Sequence, residues 1–131
     1  MKSYTDLPQS KKLAEILPIE SADMHYSTWV ISNGEFIVSP NYGNTIEDLQ
    51  EDYGNQIIPC WSLAALSEFI LPYIADDDGN NYKFYLSKDG LDRWIAYYKS
   101  DDVSIYICEE SDNMIDVILE MVYWLKKEEY I

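Results

Sequence analysis

One histidine, His25, and two cysteines, Cys60 and Cys108, are the side chains best suited to nucleophilic or metal chemistry in this 131-residue chain. A single histidine removes any two-histidine metal site and makes every serine–histidine or cysteine–histidine mechanism depend on His25. Cys60, read as lying near a helix start that would lower its pKa, is the thiol that would pair with it. No nucleophile motif surrounds either residue, and Trp61 beside Cys60 argues for packing. The run Asp76-Asp77-Asp78-Gly79-Asn80 invites a calcium reading. Placing Gly79 at the sixth loop position puts Ile74 and Tyr85 where the first and twelfth carboxylates must stand, so a solvated turn is expected instead. There is no Gly-Lys-Ser/Thr phosphate loop, and five glycines do not make a dinucleotide fingerprint. Carboxylate pairs carry no glycosidase signal in a chain with 24 acidic residues. The sequence therefore points to no catalytic residue, no metal and no cofactor.

Charge says more. The formal net charge is −15, with nine basic residues, which argues against direct nucleic-acid binding and against an anionic membrane surface. The 15% aromatic content argues against acidic disorder. From Leu13 through Tyr82 there are twelve acidic residues and not one Lys or Arg. Two meanings stand open: a solubilising coat, or an acidic surface that steers a basic partner. The densest part of the run, Glu47, Asp48, Glu51 and Asp52, is the candidate binding surface of the second meaning.

The elements that must position these residues can be read along the chain. A short first helix starts at an N-cap Thr5 with Pro8 in its first turn, carries Leu13, Ala14, Ile16 and Leu17, and stops at Pro18. Asn33-Gly34 between Met24–Ser32 and Glu35–Ser39 signals a two-residue hairpin that would pair Ile31 with Phe36 and Trp29 with Val38. Residues 40–58 are either a long loop or a loop with a helical turn at Thr45–Asp52. A helix over Cys60–Ile70, opened by Pro59 and ended by Leu71-Pro72, follows.

Strands Tyr82–Ser87, Leu91–Lys99 and Val103–Cys108 then form a meander. A Lys88–Gly90 loop with left-handed Gly90 sets Phe84 opposite Trp94 and Tyr85 opposite Arg93, and a Lys99–Asp102 loop sets Tyr98 opposite Val103. Tyr85, Arg93, Tyr97 and Tyr106 thereby share the outer face, a second candidate binding surface rich in residue types that dock partners. The alternative is that other elements cover that face and make it core. Ser111 caps a last helix with Asp112 and Asp116 early, Lys126 and Lys127 late, and a stripe of Met114, Val117, Ile118, Met121, Trp124 and Leu125 that covers the inner face. The expected fold is one α+β domain spanning 1–131, in the order α, β-hairpin, α, three-stranded meander, α.

Gln9–Pro18 running on to Met24, the stretch Pro59-Cys60-Trp61-Ser62-Leu63-Ala64-Ala65-Leu66 closing with Leu71-Pro72, the tyrosine-rich strands and Trp124-Leu125-Lys126 together resemble a family of small acidic proteins from gut Bacteroidales genomes. Members are often encoded near prophage or mobile-element genes. The resemblance covers most of the chain, with 40–58 the least alike. It implies a bacterial cytoplasm and an accessory role, and it brings no activity and no catalytic residue. No apolar run is long enough to cross a membrane, the N-terminus lacks a secretory pattern, and two reduced cysteines suit a reducing compartment.

The expectation is a non-enzymatic protein that binds a protein partner, basic or a second copy of itself, through its acidic surface, its aromatic sheet face or both. An immunity, anti-restriction or nucleic-acid-mimic role is one version. The rival is a small-molecule-binding domain, or an enzyme, with a pocket lined by Trp and Tyr.

Overall fold

A computed structural model describes residues 2–28, 34–53, 56–100 and 105–131. The fold is α+β, and the chain divides into two compact units, residues 3–65 and residues 66–131 with Lys2.

The first unit is built on a three-stranded antiparallel sheet, β1 (Met24–Thr28), β2 (Phe36–Pro40) and β3 (Ile58–Cys60), with β1 in the centre. Its helices are α1 (Leu7–Ile16) and α2 (Ile46–Tyr53). The N-cap of α1 is Asp6, in a capping box with Gln9, and not Thr5. The reason is that Thr5 is fully buried and spends its hydroxyl elsewhere. Its Oγ1 bonds Ser10 Oγ at 2.7 Å, contacts Cys60 Sγ at 3.6 Å and accepts from Trp61 N at 3.2 Å. Its backbone N–H donates to Trp61 O, and its carbonyl accepts from Tyr26 Oη. The chain entry is thus tied to the end of β3.

Those ties also explain why the expected Cys60–Ile70 helix is shortened at its start. Ile58–Cys60 pairs with β1 as a strand, and helix α3 (Leu63–Ser67) is left with only five residues. Ser62, held by the Asp23 carboxylate, caps it by accepting from Ala65 N. Its end tightens into three-residue bonds, Phe69 N to Leu66 O and Ile70 N to Ser67 O.

The first hairpin forms in another register. Phe36 lies opposite Thr28 and Val38 opposite Tyr26, where the sequence reading gave Ile31 and Trp29. Residues 29–33 lie outside the described ones. The open end of the ladder sets this register. Asn41 N donates to Asp23 O, and the Asn41 amide donates to Ala22 O and bonds His25.

The second unit holds a four-stranded sheet, β4 (Tyr73–Ala75), β5 (Asn81–Lys88), β6 (Trp94–Lys99) and β7 (Ile105–Ser111), paired in that order. Strand β4 adds a fourth strand to the expected three-stranded meander. Phe84 lies opposite Tyr98 and Tyr85 opposite Tyr97, and Tyr98 lies opposite Ile107, with a bulge between Tyr98 and Lys99. Both registers depart from the expected pairs Phe84–Trp94, Tyr85–Arg93 and Tyr98–Val103, and Val103 is outside the described residues. The displacement is even, so each β5 and β6 side chain keeps its expected face.

The cause is the β5–β6 turn. The Asp89 carboxylate accepts from Leu91 N and Arg93 N, and Asp89 N donates to Arg93 O. This makes a longer loop whose left-handed residue is Asp92 (φ 59), not Gly90. Helix α4 (Met114–Lys127) has Asn113 as N-cap, because Ser111 still belongs to β7. Asp116 in its first turn and Lys126 and Lys127 in its last complement the dipole as expected. Val117, Met121 and Leu125 bury themselves on Ile74, Tyr82, Ala96 and Tyr98, with Phe84, Leu86, Trp94 and Trp124 around them. Burial pushes the Tyr98 hydroxyl up to about 12, and it donates to Leu71 O at 2.8 Å.

Two substitutions test these accounts by chemical denaturation. Thr5→Val should lower stability by about 1–3 kcal/mol, as it strands Trp61 N and Ser10 Oγ, and Thr5→Ser should recover part of that. An unchanged midpoint in the valine variant would refute the account of the chain entry. Met121→Ala should cost about 2–5 kcal/mol through the cavity it leaves under α4.

Candidate functional site

Strand alternation separates the two residues on which a nucleophilic mechanism would depend. His25 lies opposite Pro59, one residue short of Cys60, so the two side chains leave the sheet on opposite faces. Cys60 is a free, fully buried thiol whose Sγ donates to Thr5 O. Burial pushes its pKa up, away from the thiolate. It ends β3 two residues before the Ser62 cap of α3, and burial outweighs any help from that helix start. Burial, with Cys60 next, also raises Tyr26 to about 12. Cys108 lies within β7 rather than at a strand end. Among the described residues no group of three His, Cys, Asp or Glu side chains is arranged to hold a metal ion, and no helix is long and apolar enough to cross a membrane.

The aromatic candidates fall on a face that is open to solvent. In the second unit the outer surface of the four-stranded sheet carries Tyr73, Lys83, Tyr85, Ile95 and Tyr97. Tyr73 is 60% exposed and Tyr85 40%. The Tyr85 and Tyr97 rings, cross-strand neighbours, stack with centroids 5.4 Å apart and planes 17° apart. Lys83 Nζ lies 5.7 Å from the Tyr85 centroid, within cation–π range. Arg93 does not neighbour Tyr85. It precedes β6 and pairs with Glu110 at 3.4 Å. Tyr106 lies in the bulged part of β7, and its side chain is outside the described set. Tyr73, not among the expected residues, belongs to this face because β4 pairs with β5; Tyr73-Ile74-Ala75 is too short and too uniformly apolar to signal a half-buried strand.

The acidic candidates share one helix. Glu47, Asp48, Glu51 and Asp52 are all exposed on α2, opposite the buried Ile46 and Leu49. Thr45 Oγ1 caps the helix by accepting from Asp48 N. The i,i+4 spacing places Glu47 by Glu51 and Asp48 by Asp52, two like-charge pairs that each cost about 0.2–0.5 kcal/mol in a helix. The last turn has no basic residue, so Glu51 and Asp52 also oppose the helix dipole. None of the four carboxylates forms an ion pair among the described residues.

Comparison with protein-family models, with curated proteins and with solved structures finds no match.

The Asp76–Asn80 run is a turn closing β4 onto β5, with Gly79 at φ 83. The Asp76 carboxylate serves the turn itself, accepting from Asn80 Nδ2, Asn80 N, Tyr82 Oη and Asp78 N. These bonds, the Asn80 side chain's foremost, hold Asp76 below the usual 3.8. Backbone N–H groups of Arg93 and Leu91 do the same for Asp89. A depressed folded pKa stabilises at pH above the ordinary carboxylate value, and that contribution is lost as pH falls through the folded one. Amide shifts of Asp78, Asn80, Leu91 and Arg93 followed by NMR should therefore titrate with midpoints below 3.8. Midpoints at or above that value would show that the two carboxylates are not held by their turns.

Proposed function

We propose that this chain is a non-catalytic interaction protein that docks a protein partner on the outer face of its four-stranded sheet, with acidic helix α2 steering the approach of a basic partner. The reading rests on one observation, the stacked Tyr85–Tyr97 pair with Tyr73 on a sheet face left open to solvent. Tyrosine concentrates binding energy because a large amphipathic ring is ordered at the cost of only two side-chain torsions. Four carboxylates on α2, unpaired among the described residues, supply a field that raises association rates at low salt and fades as salt screens it. The free, buried Cys60 thiol suits a reducing bacterial cytoplasm, in line with the resemblance noted above.

The test is capture of partner by the immobilised chain at low salt and above about 0.3 M salt, where screening extends over only a few ångströms. Three baits are compared: wild type, Tyr85→Ser/Tyr97→Ser, and a chain with Glu47→Gln, Asp48→Asn, Glu51→Gln and Asp52→Asn. The tyrosine variant should lose the partner at every salt concentration. The neutralised α2 variant should bind about tenfold more slowly at low salt and normally at high salt. A tyrosine variant that keeps the partner would overturn the sheet-face reading. Light scattering of the free chain separates the self-association version, which gives a salt-insensitive dimer broken by the same tyrosine pair.

A further inference from the structure

The first unit contains a cavity of about 290 Å³, lined among others by His25, Ser27, Asn41, Tyr42, Leu49 and Ile57. It lies on the face of β1 turned away from Cys60, beneath α2, and no residue of the aromatic sheet face belongs to it. Its volume is at the lower end for pockets that take small molecules. Most of the lining surface is apolar, and one polar atom of the lining residues, Ser27 Oγ, is left without a partner among the described residues.

Ser27 is 3% exposed, and its Oγ has no hydrogen-bond partner among the described residues. A buried hydroxyl in that state costs free energy unless something enters to bond it. His25, two residues earlier on the same strand face, is buried and bonded through Nδ1 to Asn41 Oδ1 at 2.8 Å. The Asn41 amide nitrogen donates to Ala22 O, which fixes the amide's orientation, so Oδ1 is the atom facing the ring. Nδ1 must then carry a proton, and the tautomer this selects leaves Nε2 as the acceptor. The cavity wall thus offers one hydroxyl able to donate or accept and one imidazole acceptor, set in an apolar surround.

Charge narrows the ligand further. Among the described residues no Lys, Arg, Asp or Glu lines the cavity. Leu49 in its wall belongs to the same helix as Glu47, Asp48, Glu51 and Asp52, so an anion would meet repulsion. A cation would lose its water with no carboxylate to replace it. At the rim, Tyr42 is 84% exposed and stands at φ 52 next to Gly43 at φ 83. Asn44 N closes this turn onto Asn41 O, placing an aromatic ring beside the mouth.

We propose that this cavity is a binding site for a small, neutral, cyclic molecule that carries a hydrogen-bond donor beside an acceptor, as a lactam or cyclic imide does. The donor bonds His25 Nε2, the acceptor receives the Ser27 hydroxyl proton, and the ring packs on Leu49 and Ile57. The site stands independently of the sheet-face reading.

Titration of the full chain by amide NMR tests it with three probes: 2-pyridone, toluene as its apolar counterpart, and benzoate as an anion. A probe with about seven heavy atoms binds at about millimolar Kd at the efficiency usual for small ligands. 2-Pyridone should shift the amides of Ser27, Asn41, Tyr42 and Ile57, with toluene weaker and benzoate weakest. Ser27→Ala should weaken 2-pyridone about tenfold, the equivalent of one hydrogen bond, and leave toluene unchanged. The same variant should be at least as stable as wild type, because it removes a hydroxyl with no partner among the described residues. Toluene or benzoate binding as tightly as 2-pyridone, shifts confined to other residues, no binding in the millimolar range, or a destabilised Ser27→Ala would each overturn the assignment.

Discussion

A buried hydroxyl has to be bonded, and the first unit meets this requirement differently on the two faces of one sheet. On the Cys60 side, Thr5 is fully buried and its Oγ1 bonds Ser10 and Trp61 and contacts Cys60. That arrangement decides where α1 begins, why Cys60 ends a strand, and why Trp61 can be buried with its indole N–H donating to Ser21 Oγ. On the His25 side, Ser27 is buried just as deeply with no partner among the described residues, and a cavity stands in front of it. A fold able to satisfy the first hydroxyl so completely was not short of means to satisfy the second. The contrast marks the His25 face as the place where the molecule leaves polar capacity unspent.

Strand alternation explains most of what was legible in the sequence. The inner face of the large sheet, with Tyr82, Phe84, Leu86, Trp94, Ala96 and Tyr98, could be read although both pairings beside β6 were misread. A register error of an even number of residues exchanges partners and preserves faces. The outer candidates Tyr85 and Tyr97 survive for the same reason, whereas Arg93 does not, since its place depended on the turn. Turn geometry was beyond reach because a carboxylate, Asp89, organises the loop in place of the glycine beside it. The helix expected over Cys60–Ile70 is cut to Leu63–Ser67 for a related reason. Its apolar density was real, but long-range bonds to Thr5 and Ser3 took the backbone of Trp61 and Leu63, and local periodicity carries no trace of them.

The acidic run also changes meaning once folded. In sequence it extends from Leu13 to Tyr82, yet the boundary between the compact units falls at residue 65. Residues 3–65 carry nine acids and two lysines, and the rest of the chain carries fifteen acids and seven bases. Both parts are acidic, so the run does not divide the molecule into an acidic half and a mixed one. What sets α2 apart is arrangement. Its four carboxylates share one exposed surface without ion pairs among the described residues, Glu51 and Asp52 against the dipole of the last turn, while elsewhere Asp116 pairs with Lys2, Asp92 with Lys88 and Glu110 with Arg93.

The aromatic face invites a plainer explanation, that Tyr85 and Tyr97 stack to stabilise their own sheet. A cross-strand aromatic pair contributes about 0.2–1 kcal/mol, and Lys83 over Tyr85 adds to it. That account covers the pair and stops there. Tyr73 is more exposed than either ring, and among the described residues no ring contact engages it. Its cross-strand partner is Lys83, whose ammonium lies over Tyr85 instead. Sheet stability gives Tyr73 no reason to be aromatic. A surface that meets another molecule does, and the ring stands on the same face as the stacked pair.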